Sequence, residues 1–455
     1  MLTVREIRDI LNYNFVWPIT NGKIYQLNND KDSICYDNLC GELKFNENNQ
    51  LEFYVEKEIS YSEQKALYEQ QEQIASSLQS GKMYKQFQFS KLEFTDKKDR
   101  VWISSRILTI SGLKINSRKI IISLIIDNIN LTNIFRNNSS LHSYSSDEVN
   151  IIPNDYSRTL TGQNRLNKYE LKIRNTSVIQ IRKFEKNYIY SIYSSIESKA
   201  VIFRIYQLAS EAINIISFHL INYTIEEKYD EISDSITLQI NSYGKNRSHS
   251  SSLIPSSHID NKNIDNFISN YINYFLENES KLSSPLYTWW YRLYNYKTDI
   301  ENNVLILSVA IEALSLKYVK EVQNIDQIYD FHDIKKIGKL IKDSDASKDL
   351  KTKVQKYVGN LNSSSKPIVL ILKNLVDLDI LSQSMHSNWQ AIRNESAHGI
   401  ERKLSFEDES SLEKILDDSN FLEEVFFRLI FHIIGYTGEF YQFSQYGYPI
   451  TSLRN

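Results

Sequence analysis

An arginine and a histidine that could act together on a phosphodiester lie five positions apart in the segment 391–399, which reads Ala-Ile-Arg-Asn-Glu-Ser-Ala-His-Gly. Arg393 carries a permanent positive charge and a rigid fork of donors that can grip a phosphate. His398 titrates near neutral pH and can therefore move a proton. Asn394 places a polar side chain directly after the arginine. This set predicts RNA cleavage without a metal, with Arg393, His398 and Asn394 as the catalytic residues.

The spacing alone is a weak signal, because 17 Arg and 8 His in 455 residues produce roughly one such match by chance. A second match is present, since Arg136 is followed by Asn137 and, six positions after the arginine, by His142. That match follows a β-like run in an Asn- and Ser-rich stretch, which predicts a loop. The context of each match must therefore decide between them.

The context of Arg393 predicts packed helices. One apolar stripe recurs at three- and four-residue intervals, through Val304, Leu307, Ile311, Leu314 and Tyr318. Pro367 opens a second apolar run at a position where a helix tolerates proline. Segment 347–361 is amphipathic, and segment 421–440 is apolar and long enough to cross a bundle. The residues from about 258 onward therefore predict an all-α domain.

With this context, Arg393-Asn394, His398-Gly399 and the preceding helix 307–314 (Leu-Ser-Val-Ala-Ile-Glu-Ala-Leu) resemble a HEPN domain, and in particular its ApeA branch. The resemblance covers residues 285–442. It implies a helical homodimer or a higher even oligomer, a metal-independent endoribonuclease site, and a role in bacterial anti-phage defence by abortive infection. RNA, with transfer RNA among the candidates, is the implied substrate, and a phage-derived component is the implied trigger.

On one ideal helix, residues five apart differ by about 140° and about 7.5 Å of rise, so Arg393 and His398 do not share a face. Either the helix ends or distorts at 396–397, or each protomer offers its pair to a shared groove. A two-fold dimer would place two arginines and two histidines around one phosphate. Glu312, a polar residue in an apolar helix, could orient Arg393 or could be a boundary residue facing solvent.

The formal net charge of −3 gives no overall nucleic-acid signature, so RNA binding must depend on local basic patches. Candidate RNA-binding residues in the helical half are Lys351, Lys353, Lys356, Arg402 and Lys403. The alternative is that these lysines and arginines only solvate exposed helix faces.

Metal, cofactor and membrane binding are not expected. Cys35 and Cys40 are the only cysteines, and no histidine lies near them in sequence, so a four-ligand zinc site lacks partners. Two thiols in so long a chain suit a reducing cytoplasm. The first residues lack the apolar stretch of a signal peptide. The apolar segment 425–436 is too short to span a bilayer, so His432 within it is expected to be a bundle histidine.

The N-terminal half predicts strands. Segments 42–46 and 50–56 alternate apolar and polar residues across an Asn-rich turn, and segments 106–126, 169–174 and 188–193 add further strands. Segment 200–221 is the exception, with helical spacing. We expect an α+β protein, in which residues 1–257 form a β-rich, sandwich-like sensory or regulatory domain carrying a helix. The polar stretch 244–258 predicts a linker, and residues 258–455 form the helical nuclease domain.

Two other functions are compatible with the sequence. In the first, the helical half only dimerises, and the protein is a non-catalytic sensor or scaffold that binds RNA or a phage component. In the second, the chain is a toxin silenced by a separate nucleotidyltransferase; the large fused N-terminal half argues against it, because regulation could reside in the same chain.

Overall fold

The computed structural model describes residues 2–28, 31–62, 65, 89–104, 107–116, 119–134, 140–145, 155–158, 164–174, 176–184, 187–194, 197–218, 220–221, 223–230, 235–241, 252–255, 261–278, 285–296, 300–319, 331–364, 367–397 and 409–453. The chain divides into two compact units. The first comprises 1–206 and 221–249, and the second comprises 207–220 and 250–455. Most strands lie in the first unit and most helices in the second, which confirms the α+β class.

Antiparallel pairing joins the strands of the first unit into one 15-stranded sheet. Their bounds are β1 Val16–Asn28, β2 Lys31–Phe45, β3 Leu51–Glu58, β4 Phe89–Asp96, β5 Val101–Ser104, β6 Ile107–Asn116, β7 Lys119–Ile126, β8 Asn128–Ile134, β9 Ser140–Ser145, β10 Asp155–Arg158, β11 Asn164–Ile173, β12 Ser177–Phe184, β13 Asn187–Ser194, β14 Ile225–Asp230 and β15 Ser235–Asn241. The order is β10-β11-β12-β13-β9-β14-β15-β8-β5-β4-β1-β2-β3-β7-β6.

The strands form one hydrogen-bonded sheet, and the sandwich-like arrangement expected from the sequence stays a prediction. The β14–β15 hairpin makes the sheet continuous. Strand β14 pairs with β9 and strand β15 pairs with β8, so the hairpin joins strands β1–β8 to strands β9–β13. Side chains from distant strands of the sheet, such as Phe53 on β3 and Ile225 on β14, share one buried cluster. These strands therefore pack on one common core.

The predicted hairpin of β2 and β3 is confirmed. Leu43 pairs with Phe53 across the two strands, and both side chains are fully buried. In the turn, the Asn46 side-chain oxygen accepts the backbone N–H groups of Asn48 and Gln50, at 2.9 and 3.0 Å. Local turn chemistry and apolar alternation thus agree on the same register.

A short N-terminal helix, α1 (Val4–Leu11), was not predicted, although its sequence carries a capping box. Thr3 accepts the N–H of Glu6, and the Glu6 carboxylate accepts the N–H of Thr3 at 2.7 Å. Burial raises the pKa of Glu6, but the Thr3 amide, Arg100 and Lys98 outweigh burial and lower the pKa to about 2. The carboxylate therefore stays ionised well below neutral pH and ties the helix to Arg100.

The remaining helices are α2 Lys199–Ser217, α3 Lys262–Asn278, α4 Pro285–Tyr296, α5 Ile300–Leu314, α6 Phe331–Asp343, α7 Lys348–Ser364, α8 Pro367–Asp377, α9 Gln383–Ala397 and α10 Glu409–Ile434. The helices predicted from periodicity near segments 200–221, 304–318, 347–361 and 367–375 are confirmed as α2, α5, α7 and α8. In α5 the last predicted turn is π-helical, over Ser315–Val319.

The second unit is not purely helical, which corrects the expected all-α domain. Helix α10 ends at Ile434, where Gly435 adopts a φ of +70°. The N–H of Tyr436 returns to the carbonyl of Phe431 at 2.8 Å, so the chain turns away from the helix axis. A small hairpin follows, of β16 (Glu439–Tyr441) and β17 (Ile450–Ser452).

Part of the predicted linker is structured. Leu253 and Ile254 are fully buried in the second unit. The N–H of Leu253 donates to the carbonyl of Ile216 at 2.8 Å, and its own carbonyl accepts the N–H of Tyr441 at 3.2 Å. The rest of the predicted linker lies largely outside the described residues. The predicted boundary at residue 257 therefore does not coincide with the division into compact units.

Candidate active site

Helix α9 presents Arg393 at the edge of its buried face. Met385, Trp389 and Ile392 are buried and recur at helical spacing, so they hold this face of α9 against the second unit's core. Arg393 is half-buried beside this stripe, and Asn394 is exposed. The arginine side chain is thus supported at its base and accessible at its tip.

Glu312 of α5 contacts this arginine. Its Oε2 lies 3.4 Å from Nη2 of Arg393, and the two side chains are 31% and 35% exposed. An ion pair this exposed contributes about 0–1 kcal/mol to stability. The orienting role of Glu312 stays a prediction.

Beside Glu312, helix α5 exposes an apolar stripe. Leu305 and Val309 are 43% and 45% exposed, and Leu316, on the following π-helical turn, is 39% exposed. At about 100° per residue, Leu305, Val309 and Glu312 fall within about 60° of one another around the helix. The carboxylate that contacts Arg393 therefore lies on the same face as Leu305 and Val309, and Leu316 follows on the next turn. We call Leu305, Val309 and Leu316 the α5 stripe.

The second predicted catalytic group is not described. His398 follows α9 directly and lies outside the described residues, as do Gly399, Arg402 and Lys403. The structure therefore brings together Arg393 and Glu312, places Asn394 on the exposed side of the same helix, and leaves the position of His398 as a prediction.

The three predicted RNA-binding lysines lie on α7 and differ in their contacts. Lys351 donates to the carbonyl of Lys342 at 3.2 Å and so closes the α6–α7 hairpin. Lys353 forms an exposed ion pair with Asp349 at 3.0 Å. Lys356 is exposed. Lys351 has a structural contact, whereas Lys353 and Lys356 keep surface positions from which they could reach a phosphate.

The competing histidine, His142, lies on strand β9 and not in the loop that the sequence predicts. Its Nδ1 is 2.9 Å from the hydroxyl of Ser191, and its backbone N–H donates to the buried carboxylate of Glu227 at 3.1 Å. Its sheet position explains these contacts. Arg136, the other half of that match, lies outside the described residues.

Two other histidines of the second unit are shifted away from the charged form. Burial, together with the nearby Lys373, lowers the pKa of His386 on α9. Burial alone lowers the pKa of His432 on α10. Both imidazoles are therefore neutral at pH 7 and make poor proton donors. The expected position of His432 within the bundle agrees with its partial burial.

Within the described ranges, no group of three or more His, Cys, Asp and Glu side chains could hold a metal ion. Cys40 is a free and exposed thiol, and the side chain of Cys35 lies outside the described residues. No helix in the described part of the chain has both the length and the apolar character that a membrane span requires.

The fold and this site define an α+β protein with an arginine–glutamate pair on two packed helices of its second unit. No protein-family model matches the chain, and no curated protein or solved structure is significantly similar to it. The resemblance to HEPN domains therefore depends on the motif residues alone.

Proposed function

We propose that this protein is a metal-independent endoribonuclease that acts as a homodimer in the bacterial cytoplasm, in abortive-infection defence against phages. The observation that supports the proposal most is the Arg393–Glu312 contact. A half-exposed guanidinium, oriented by a carboxylate and one turn before a histidine in sequence, is suited to binding a phosphate that enters from solvent.

The chemistry requires no group beyond these side chains and the RNA. The ribose 2′-oxygen attacks the adjacent phosphorus, so a P–O2′ bond forms and the P–O5′ bond breaks. One histidine takes the proton from the 2′-hydroxyl, and the histidine of the other protomer donates a proton to the leaving O5′. The arginines offset the charge that grows on the phosphorane. The products are a 2′,3′-cyclic phosphate and a 5′-hydroxyl, and DNA is inert because it lacks the nucleophile.

The α5 stripe supports the dimer. Exposed aliphatic side chains at successive turns of one helix are typical of a surface that a partner covers. In the proposed interface the α5 stripe packs against its own copy at the two-fold axis, so the two Glu312 side chains, and with them the two arginines, come near that axis. The proposed composite site needs this arrangement.

We expect Val309→Glu to convert the dimer to a monomer and to lower cleavage in parallel, because a buried, unpaired carboxylate at the interface centre is strongly unfavourable. Sedimentation velocity and cleavage of labelled RNA measure the two effects. Leu340→Glu is the matched control, since Leu340 is 71% exposed on α6. A monomeric wild type, or a Val309→Glu variant that remains dimeric, contradicts the proposed interface.

We also expect purified full-length protein to cleave transfer or total RNA in the presence of EDTA, since the proposed chemistry contains no metal. The new 3′ ends should resist polyadenylation until acid opens the cyclic phosphate and a phosphatase then removes the resulting monophosphate, and the matching DNA should stay intact. A strict requirement for Mg²⁺ or Mn²⁺ contradicts the mechanism.

A non-catalytic function is the second candidate, because an arginine held by a carboxylate at 3.4 Å is also what a structural ion pair looks like. On this alternative the protein is a dimeric sensor or scaffold that binds RNA or a phage component. The same assay separates the two functions: the alternative predicts that RNA binds and is recovered uncut.

The first unit is the proposed sensory or regulatory part, and the structure constrains how this can be tested. A fragment beginning at Asn261 would lack 207–220, although Glu211 accepts a hydrogen bond from Tyr271 at 2.8 Å within the second unit. It would also lack the buried Leu253. Regulation is therefore better tested on the full chain, by comparing cleavage before and after phage infection.

A further inference from the structure

Helix α4 is far richer in aromatic residues than the rest of the chain. Six of its twelve residues are Tyr or Trp, whereas aromatic residues make up 12% of the whole sequence. The helix has one basic residue, Arg292, and no Asp or Glu. This local enrichment is visible in the sequence and is the signal by which the surface can be found.

Core packing explains one face of α4. Trp290 is buried and stacks between Tyr287 and Tyr294, with ring centroids 5.3 and 5.4 Å apart. Leu286 and Leu293 are buried on the same side. These residues face the interior of the second unit, so their aromatic character needs no further function.

The opposite face of α4 is not explained by packing. Tyr291 is 44% exposed, and Arg292, Thr288 and Asn295 are exposed at neighbouring positions of the same face. Trp289 lies beside this face and is partly exposed. The guanidinium carbon of Arg292 lies 4.8 Å from the centroid of the Trp289 ring. This cation–π contact holds the guanidinium beside an aromatic surface. We call Thr288, Trp289, Tyr291, Arg292 and Asn295 the α4 aromatic face.

The exposed aromatic rings and the guanidinium of the α4 aromatic face match the chemistry of unpaired nucleotides. Exposed aromatic rings stack on nucleobases whatever their sequence, and a neighbouring guanidinium pairs with the phosphates between them. A helix without carboxylates does not repel that backbone. Base-paired RNA hides the faces of its bases, so a duplex could contact only Arg292 of this surface.

We infer that the α4 aromatic face is a binding subsite for unpaired nucleotides of an RNA strand, with Tyr291 and Trp289 stacking on bases and Arg292 contacting phosphate. The inference deepens the proposed function, because it names the part of an RNA substrate that the protein grips away from Arg393.

Fluorescence anisotropy of labelled oligouridylate tests the subsite, with a duplex of the same length as comparison. The measurement uses the full-length Arg393→Ala protein, in which cutting is slowed. Tyr291→Ala combined with Arg292→Ala should weaken binding of the single strand by about 10- to 100-fold. Duplex binding should change less. Tyr291→Phe should bind like the parent, because the ring is kept. Tyr446→Ala is the matched control, since Tyr446 is fully exposed elsewhere in the second unit.

Two results would overturn the inference: unchanged single-strand affinity in the folded double variant, or dissociation of the dimer by Tyr291→Ala, which would make this face a protein interface. The failure of the proposed function looks different. If Tyr291 and Arg292 control oligouridylate binding but the wild type cuts no RNA, the subsite stands and the nuclease proposal fails. If the wild type cuts RNA and the double variant binds normally, only the subsite fails.

Discussion

Arg393→Ala is expected to lower the RNA cleavage rate by about 10²–10³-fold or more, which is the loss that follows removal of one donor to a developing oxyanion. The side chain is 35% exposed, and its ion pair with Glu312 adds little to stability. The variant should therefore keep the thermal stability and the dimeric state of the parent. Initial rates on a fluorogenic RNA, together with thermal melts and sedimentation, measure the three properties.

Arg393→Lys separates charge from geometry at the same position. Lysine keeps the positive charge but loses the planar fork that binds two phosphate oxygens at once. An intermediate rate is expected, between those of the parent and of Arg393→Ala. Full activity in Arg393→Lys would indicate that Arg393 contributes only a point charge.

His398→Ala completes this prediction, with an expected loss of about 10²–10⁴-fold, the usual contribution of a general acid or base. The rate of the parent should have a pH limb near 6 to 7, the histidine range. His142→Ala is the control, because His142 contacts Ser191 within the sheet. If His142→Ala abolishes cleavage and His398→Ala does not, the wrong arginine–histidine pair has been assigned.

The largest loss of stability is expected at a buried ion pair in the second unit. Glu424 and Arg428 of α10 are 1% and 11% exposed, and Oε1 of Glu424 lies 2.9 Å from Nε of Arg428. Nη1 of Arg428 also donates to the carbonyl of Ile380 at 3.1 Å, and Glu424 accepts the N–H of Ser444 at 3.1 Å. The pair thus joins α10 to the α8–α9 turn and to the C-terminal hairpin.

Glu424→Ala should lower the free energy of unfolding by about 3–5 kcal/mol, because it leaves a buried guanidinium without its counter-ion. For a unit of this size the melting temperature should fall by about 6–20 °C. Replacing both members, as in Glu424→Leu with Arg428→Met, should recover part of the loss, since no isolated charge remains.

Asp349→Ala, which removes an ion pair of similar length at the surface, is the matched control. Its side chains are 68% and 80% exposed, so the expected change is within about 0.5 kcal/mol. Equal melting temperatures for Glu424→Ala and Asp349→Ala would mean that the buried Glu424–Arg428 pair contributes no more to stability than the exposed pair does.

Elements set by local rules could be predicted from the sequence. The predicted apolar residues Val304, Leu307, Ile311 and Leu314 are all buried along α5, because a helix that packs on a core buries one face. The turn of Asn46 and the proline that opens α8 were visible for the same reason. The capping box of Thr3 and Glu6 is equally local. Such features depend on neighbours within about four positions.

The sequence by itself therefore determined the α+β class, most of the helices and the pairing of Arg393 with a nearby histidine as a candidate site. The sequence left two positions open for Glu312, and only the tertiary structure decided between them, since it places this side chain, 81 positions earlier, against the arginine. It also placed the β14–β15 hairpin between β9 and β8, and buried Leu253 in the second unit. The physical reason is that these contacts join residues far apart in the chain. Their partners are selected by the shape of the whole core, and no local periodicity records that selection.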